Sequence, residues 1–205
     1  MLVRAKLLVC VAACLLAGCS PSPTPSPSPG VTTPGGTASP TGPASTSASA
    51  TPTPTWSADQ AAAIGAVNDF RAASQKLAAD PAAFTKSGMT AILEKSAGGA
   101  VLTNAVSGYL NLKKRGMRHI GDSLVVSTLA TRASDVGYAT QVIVTMCIDQ
   151  RALKVVDKDG KELTKDQAGY EIPDFNLRQY TVQRRTKSAV FIVFGLGQAK
   201  GECGP

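Results

Sequence analysis

The chain has 205 residues and a formal net charge of +7, and 27 of the 36 positions from Ser20 to Thr55 are Pro, Ser or Thr. A packed core must therefore come after Thr55, in about 150 residues, which is the size of one domain and enough to bury roughly two-thirds of its unfolded surface. These figures exclude long multidomain enzymes, collagen-like repeats and wholly disordered chains, and the single histidine excludes any site that needs two.

The first predicted element is a secretory leader. Arg4 and Lys6 give a positive start, and Leu7 to Ala17 form an apolar run of 11 residues, too short to cross a bilayer. The run ends in Leu16-Ala17-Gly18-Cys19, which resembles the bacterial lipoprotein signal. In that signal small residues admit the peptidase and the cysteine thiol carries a diacylglyceryl group. The resemblance implies that residues 1–18 are a signal peptide and that Cys19 is lipidated, palmitate-type chains included. It places the protein on the outer face of the cell membrane, where two or more acyl chains anchor stably and one does not.

Cys10 and Cys14 leave with such a leader, so Cys147 and Cys203 remain. An exported domain meets an oxidising environment, and two remaining cysteines predict one disulfide. Closing a loop of more than 50 residues stabilises a fold by about 4 kcal/mol on the entropic model. Neither cysteine has the CxxC spacing or nearby histidine of a metal or redox pair.

Residues 19–55 read as a tether. Runs such as Pro21-Ser22-Pro23-Thr24-Pro25 have no apolar periodicity and form no packed core. Extended as polyproline, the tether reaches on the order of 110 Å; as a random coil it spans roughly 35 Å.

Residues 56–205 form the predicted domain. Ser57-Ala58-Asp59-Gln60 has the form of a capping box, and Ala61, Ile64, Val67, Ala72 and Leu77 follow at helical spacing up to Asp80-Pro81. A helical turn is predicted at Pro81. A second helical pattern runs from Thr90 through Ile92, Leu93, Val101, Leu102, Val106, Tyr109 and Leu110, broken at Gly98-Gly99. After Gly116 the period changes to two. Ile120, Leu124 and Val126 alternate with polar residues, and Tyr138, Val142, Val144, Met146 and Ile148 mark one face of a strand. A hairpin is predicted around Asp159-Gly160, and Asn176 to Arg185 and Ala189 to Gln198 read as two long strands joined by a short turn. Helices followed by strands indicate an α+β domain, its N-terminal helices packed on a long bent antiparallel sheet.

This order resembles the nuclear transport factor two-like, cystatin-like cone, particularly the actinobacterial lipoproteins built on it. The residues carrying the resemblance are Ala139 to Asp149, Val155 to Lys161, Tyr180 to Arg184 and Gly201-Glu202-Cys203, and it covers Trp56 to Cys203. Where the family commonly has a Trp in its last strand, this chain has Phe191 or Phe194. The resemblance implies a cone interior in which some relatives, among them isomerases, dehydratases and hydrolases, hold a few acid or base groups. Asp122, Asp149, Tyr109, Tyr138 and Tyr180 are candidates to face that interior, and no matching motif assigns any of them a catalytic role.

A local triad of His119, Asp122 and Ser123 fails on geometry, because positions 119 and 122 of a strand point to opposite faces. Asp157-Lys158-Asp159-Gly160 is no calcium loop: alignment on its glycine puts Val155 where the first carboxylate belongs. No GxSxG, GxGxxG or GxxxxGK[ST] occurs, so no cofactor, metal or catalytic residue is predicted.

Losing Arg4 and Lys6 from the 21 basic residues leaves 19 against 14 acidic, a net of +5. The cations cluster at Lys113, Lys114, Arg115 and Arg118 and at Arg184, Arg185 and Lys187, which are candidates for contact with an anionic lipid or wall surface. Nucleic acid is not an expected partner, because aromatic interleaving is absent and the predicted address is outside the cell. The sequence thus predicts a membrane-anchored, non-catalytic module that binds a small apolar ligand or an envelope protein. The alternative is a cone-fold hydrolase or isomerase acting on a small apolar substrate.

Overall fold

The computed structural model describes residues 55–185 and 188–203, which belong to one unit of the chain. Cys19, the leader, the tether up to Pro54, Lys187 and the side chain of Arg185 lie outside what is described. Helix α1 (Ala58–Ala79) starts at the predicted cap. The Gln60 N–H donates to Ser57 Oγ at 3.3 Å, and the Ser57 N–H donates to Gln60 Oε1 at 2.9 Å. Each satisfies a donor that the first helical turn would otherwise leave open. At the other end Asp80 accepts from the Ala83 N–H and starts a 3-10 turn, Pro81–Ala83.

The second helical pattern divides into α2 (Lys86–Leu93), capped by Thr85, and α3 (Gly99–Arg115). The predicted break at Gly98-Gly99 serves a pairing across to the sheet. The Gly98 N–H donates to the Val193 carbonyl at 3.0 Å, and the Val193 N–H donates to the Ser96 carbonyl at 2.8 Å. A side chain on Gly98 would press on Ile192 and Phe194 at 3.1 and 3.2 Å, so glycine permits this approach.

The strands are β1 (Arg118–Ile120), β2 (Leu124–Ala130), β3 (Ser134–Val136), β4 (Ala139–Asp149), β5 (Lys154–Val156), β6 (Phe175–Arg185) and β7 (Ile192–Gln198). The main sheet is open and antiparallel, in the order β2-β4-β6-β7, with β3 paired to the start of β4. Strands β1 and β5 form a separate two-stranded sheet. The α+β architecture predicted from the sequence is thus the one observed, with the helices packed on one side of the main sheet.

The packing follows the pleat. Val142, Val144, Met146 and Ile148 of β4 are buried against Val67, Phe70 and Leu77 of α1, Met89 and Leu93 of α2, and Val106 of α3. Burying each such side chain contributes about 1.5–3 kcal/mol. A second cluster, with Leu112, Met117, Val155 and Ala168, fills the space under the small sheet. On the outer side of β4, Cys147 is bonded to Cys203, 56 residues away, with Cα atoms 5.5 Å apart. Among the described residues both clusters and the disulfide lie after Trp56, in a compact unit separate from residues 1–50, as expected of a domain that folds by itself.

Four details depart from the sequence expectation. Tyr138 sits in the turn before β4 and is 83% exposed, so it does not share the face of Val142. Strand β2 has a bulge between Val125 and Ser127. The register pairs Val125 with Ile148 before the bulge and Thr128 and Ala130 with Met146 and Val144 after it, so Leu124 and Leu129 point away from the helices. Leu124, Val125, Val126 and Leu129 are all exposed, against the alternation the sequence suggested. The expected hairpin at Asp159-Gly160 shrinks to a turn with one bridge, Val156 to Glu162, because the ladder partner of β5 is β1. Finally, a four-residue helix, α4 (Lys165–Ala168), appears where none was expected, closed by a capping box of Thr164 and Gln167.

Candidate functional site

The helices do not fill the space they enclose with the sheet: a pocket of about 670 Å³ remains between α1, α3 and one end of the sheet. Helical spacing brings Phe70, Arg71, Ser74, Gln75 and Ala78 of α1 onto one stripe facing it. Helix α3 contributes Ala100, Val101, Asn104, Ala105 and Tyr109 in the same way. The strand period does this for Ile148 and Gln150 at the end of β4 and for Arg178 and Tyr180 on β6, while β7 adds Phe194 and Leu196. His119, Gly121, Ser123 and Leu153 complete the wall.

Gly121 shapes the corner after β1. Its φ is +84°, and a Cβ there would run into the Ala152 carbonyl oxygen, so only glycine lets the chain turn this close to the loop after β4. The turn presents Ser123, whose Oγ accepts from Arg71 Nη2 at 3.1 Å and from Gln75 Nε2 at 2.9 Å. Those bonds tie the last turns of α1 to the loop that leads into β2.

The titratable groups of the wall are shifted by their surroundings. Burial raises the Tyr180 phenol above its ordinary value, opposed by the nearby Arg71 and Arg178 guanidiniums. Burial also raises Tyr109, an effect that Ser74 partly offsets and the neighbouring Tyr180 reinforces. Ser74 Oγ and Tyr109 nevertheless fall outside hydrogen-bond geometry, and that buried Oγ has no hydrogen-bond partner. Both phenols therefore stay protonated at neutral pH and present O–H donors. His119 is lowered by burial and is neutral at pH 7; its Nε2 lies 2.7 Å from the Tyr170 hydroxyl. The first turn of α3 adds partial positive charge, since it has no acidic residue and its Gly98 cap supplies no side chain. Among the described residues no Asp, Glu or Cys lines this pocket.

Of the candidates for the interior, Tyr109 and Tyr180 line the pocket, and Asp122, Asp149 and Tyr138 do not. Asp149 instead accepts from the Arg151 side chain and backbone N–H, and those hydrogen bonds lower its carboxyl below the usual value. Sequence reasoning missed Arg71, Ser74, Gln75, Asn104, Gln150 and Arg178. The basic clusters are partly occupied by structural bonds. Lys113 Nζ donates to the Ala82 and Phe84 carbonyls, and Arg115 donates to the Ala168 and Gln167 carbonyls. Arg184 pairs with Asp59 at 3.1 Å and stacks on Phe191. Lys114 is exposed and Arg118 half-buried.

No family model matches the chain, and neither does any curated protein. Among solved structures, the chain is similar to the intermembrane space region of the chloroplast protein ARC6, at 10% identity and a TM-score of 0.47, over 72% of this chain and 100% of that one.

Proposed function

We propose that the protein is a lipoprotein anchored through Cys19 at the outer face of the cell membrane, whose domain binds a small, largely apolar ligand without transforming it. In this reading the domain is a cone of the nuclear transport factor two-like kind, set off the membrane by its Pro/Ser/Thr tether. The observation that carries the proposal is the open pocket of about 670 Å³, within the range of roughly 300–1,000 Å³ typical of ligand sites and walled mainly by apolar side chains. Among the described residues no helix is long and apolar enough to cross a membrane, so the anchor in this reading is the lipid.

Native mass spectrometry of residues 56–205, before and after incubation with a cell-envelope extract, tests the binding. A retained small mass is the expected result. Its absence would overturn the pocket reading and turn the search to protein partners on the surface. The anchor is tested separately: Cys19→Ala should abolish lipid labelling, and continued labelling would refute it.

A hydrolase or isomerase is the second reading, favoured by the convergence of Tyr109, Tyr180 and His119 on one pocket. It predicts that a mass retained from the extract is consumed over time, and that Tyr180→Phe stops this turnover while leaving the thermal melt intact. A mass that persists unchanged would count against it.

A further inference from the structure

The pocket holds two guanidiniums that the protein does not neutralise. Arg71 approaches from α1 and Arg178 from β6, and the wall between them contains no carboxylate. Neither arginine forms an ion pair with any described residue. The Arg178 side chain makes no hydrogen bond to one either, and the Arg71 side chain donates only from Nη2, to the Ser123 hydroxyl and carbonyl. A guanidinium carries five N–H donors, so most of this capacity stays open. Both side chains are half-buried, where an unpaired charge loses part of its hydration without recovering it from the protein. Their fields converge, since both act on the Tyr180 hydroxyl and oppose the burial that raises it. The same wall carries an apolar lining, with Phe70, Val101, Ala105, Phe194 and Leu196, beside uncharged polar groups such as Asn104 and Gln150.

We infer that the pocket takes an amphipathic anion: an apolar chain against the phenylalanine and aliphatic wall, and a carboxylate or phosphate headgroup between Arg71 and Arg178. This rests on the pocket-binding reading and narrows it. Guanidinium forks match both headgroups. A neutral chain of the same length would leave the two cations unpaired, and a cationic headgroup would be repelled. The Tyr109 and Tyr180 hydroxyls and the Asn104 amide supply further donors at the same wall, as an anion requires.

Isothermal titration calorimetry of residues 56–205 tests this with four probes below their micelle concentrations: dodecanoate, dodecyl phosphate, dodecanol and dodecyltrimethylammonium. At least one anion should bind at least about tenfold tighter than dodecanol, as charge-assisted hydrogen bonds predict, and the cation should not bind. The tighter of the two anions identifies the headgroup. Arg178→Gln should bring that anion to the level that dodecanol shows on the same variant, while Arg178→Lys should retain part of the preference. Arg71→Gln provides the same readout should the Arg178 variants fail to fold. Equal binding of the anions and dodecanol, or anion binding that survives both glutamine variants, would overturn the charge inference and leave the pocket reading standing. No binding by any probe would overturn both.

Discussion

His119 illustrates how one buried side chain sets a pH dependence. Burial lowers its pKa from the ordinary 6.5, so the folded protein binds its proton less readily than the unfolded chain does. Stability therefore rises with pH between the folded and unfolded values and is level above about 6.5. On acidification the unfolded chain takes up the proton first, and the fold loses stability from about pH 6.5 downward. Tyr170, its hydrogen-bond partner, titrates far above this range, because burial raises it despite the nearby Arg115. The denaturant midpoint of the wild type should fall between pH 7 and pH 5.5. In His119→Gln, which keeps a group able to reach the Tyr170 hydroxyl, that slope should flatten. An unchanged slope would show that another group titrates there. The arginines of the pocket carry a different lesson at this scale. Arg71 and Arg178 lie 107 positions apart with no local motif around either, and only the packing of α1 against β6 brings them to one wall. Tyr109 and Tyr180 could be shortlisted because tyrosines are few, whereas nothing in the sequence separates these two arginines from the other basic residues.

Among the elements, α1, β4 and β6 were legible because each carries a long, uninterrupted period and, for α1, an explicit cap. Ser57→Ala removes the side-chain acceptor of that cap and should cost about 1 kcal/mol, lowering the thermal midpoint by about 3 °C in a domain of this size. No change in the melt would mean that the contacts of Gln60 and Asp59 with Ala130 and Arg184 hold the helix start by themselves. Strand β2 was located correctly and faced wrongly, since the register that pairs Val125 with Ile148, and the bulge after it, leave no mark in the apolar pattern. Helix α4 was missed because four residues show no periodicity, although Thr164-Lys165-Asp166-Gln167 has the T-x-x-Q form of a capping box that could have announced it. The pairing of Ser96 and Gly98 with Val193 is a backbone contact and was visible only as an interruption in a helical pattern.

For the whole molecule, the disulfide is the one long-range covalent tie among the described residues, and it lies on the side of β4 opposite the helices. Reduction should cost about 4 kcal/mol by releasing a loop that spans 56 positions. A denaturant titration with and without reductant measures this, and Cys203→Ala should reproduce the reduced value. The pocket faces the helices and neither cysteine lines it, so the reduced protein should retain its ligand affinity wherever it remains folded. Loss of binding at denaturant concentrations where the fold persists would show that the C-terminal segment shapes the pocket after all.

Helix α1 also determines how the domain can be held. Its first turn contacts Ala130 and Arg184, near the far ends of β2 and β6, whereas its last turns from Phe70 onward line the pocket. With a rise of 1.5 Å per residue, the cap and the nearest of those wall residues are about 20 Å apart along the axis. The start of α1 and its pocket-lining stretch are thus at opposite ends of one rigid rod. A sensor surface or bead coupled at residue 56 lies about 20 Å along that rod from the wall, whereas a bulky group coupled at Ala79 sits on the wall itself.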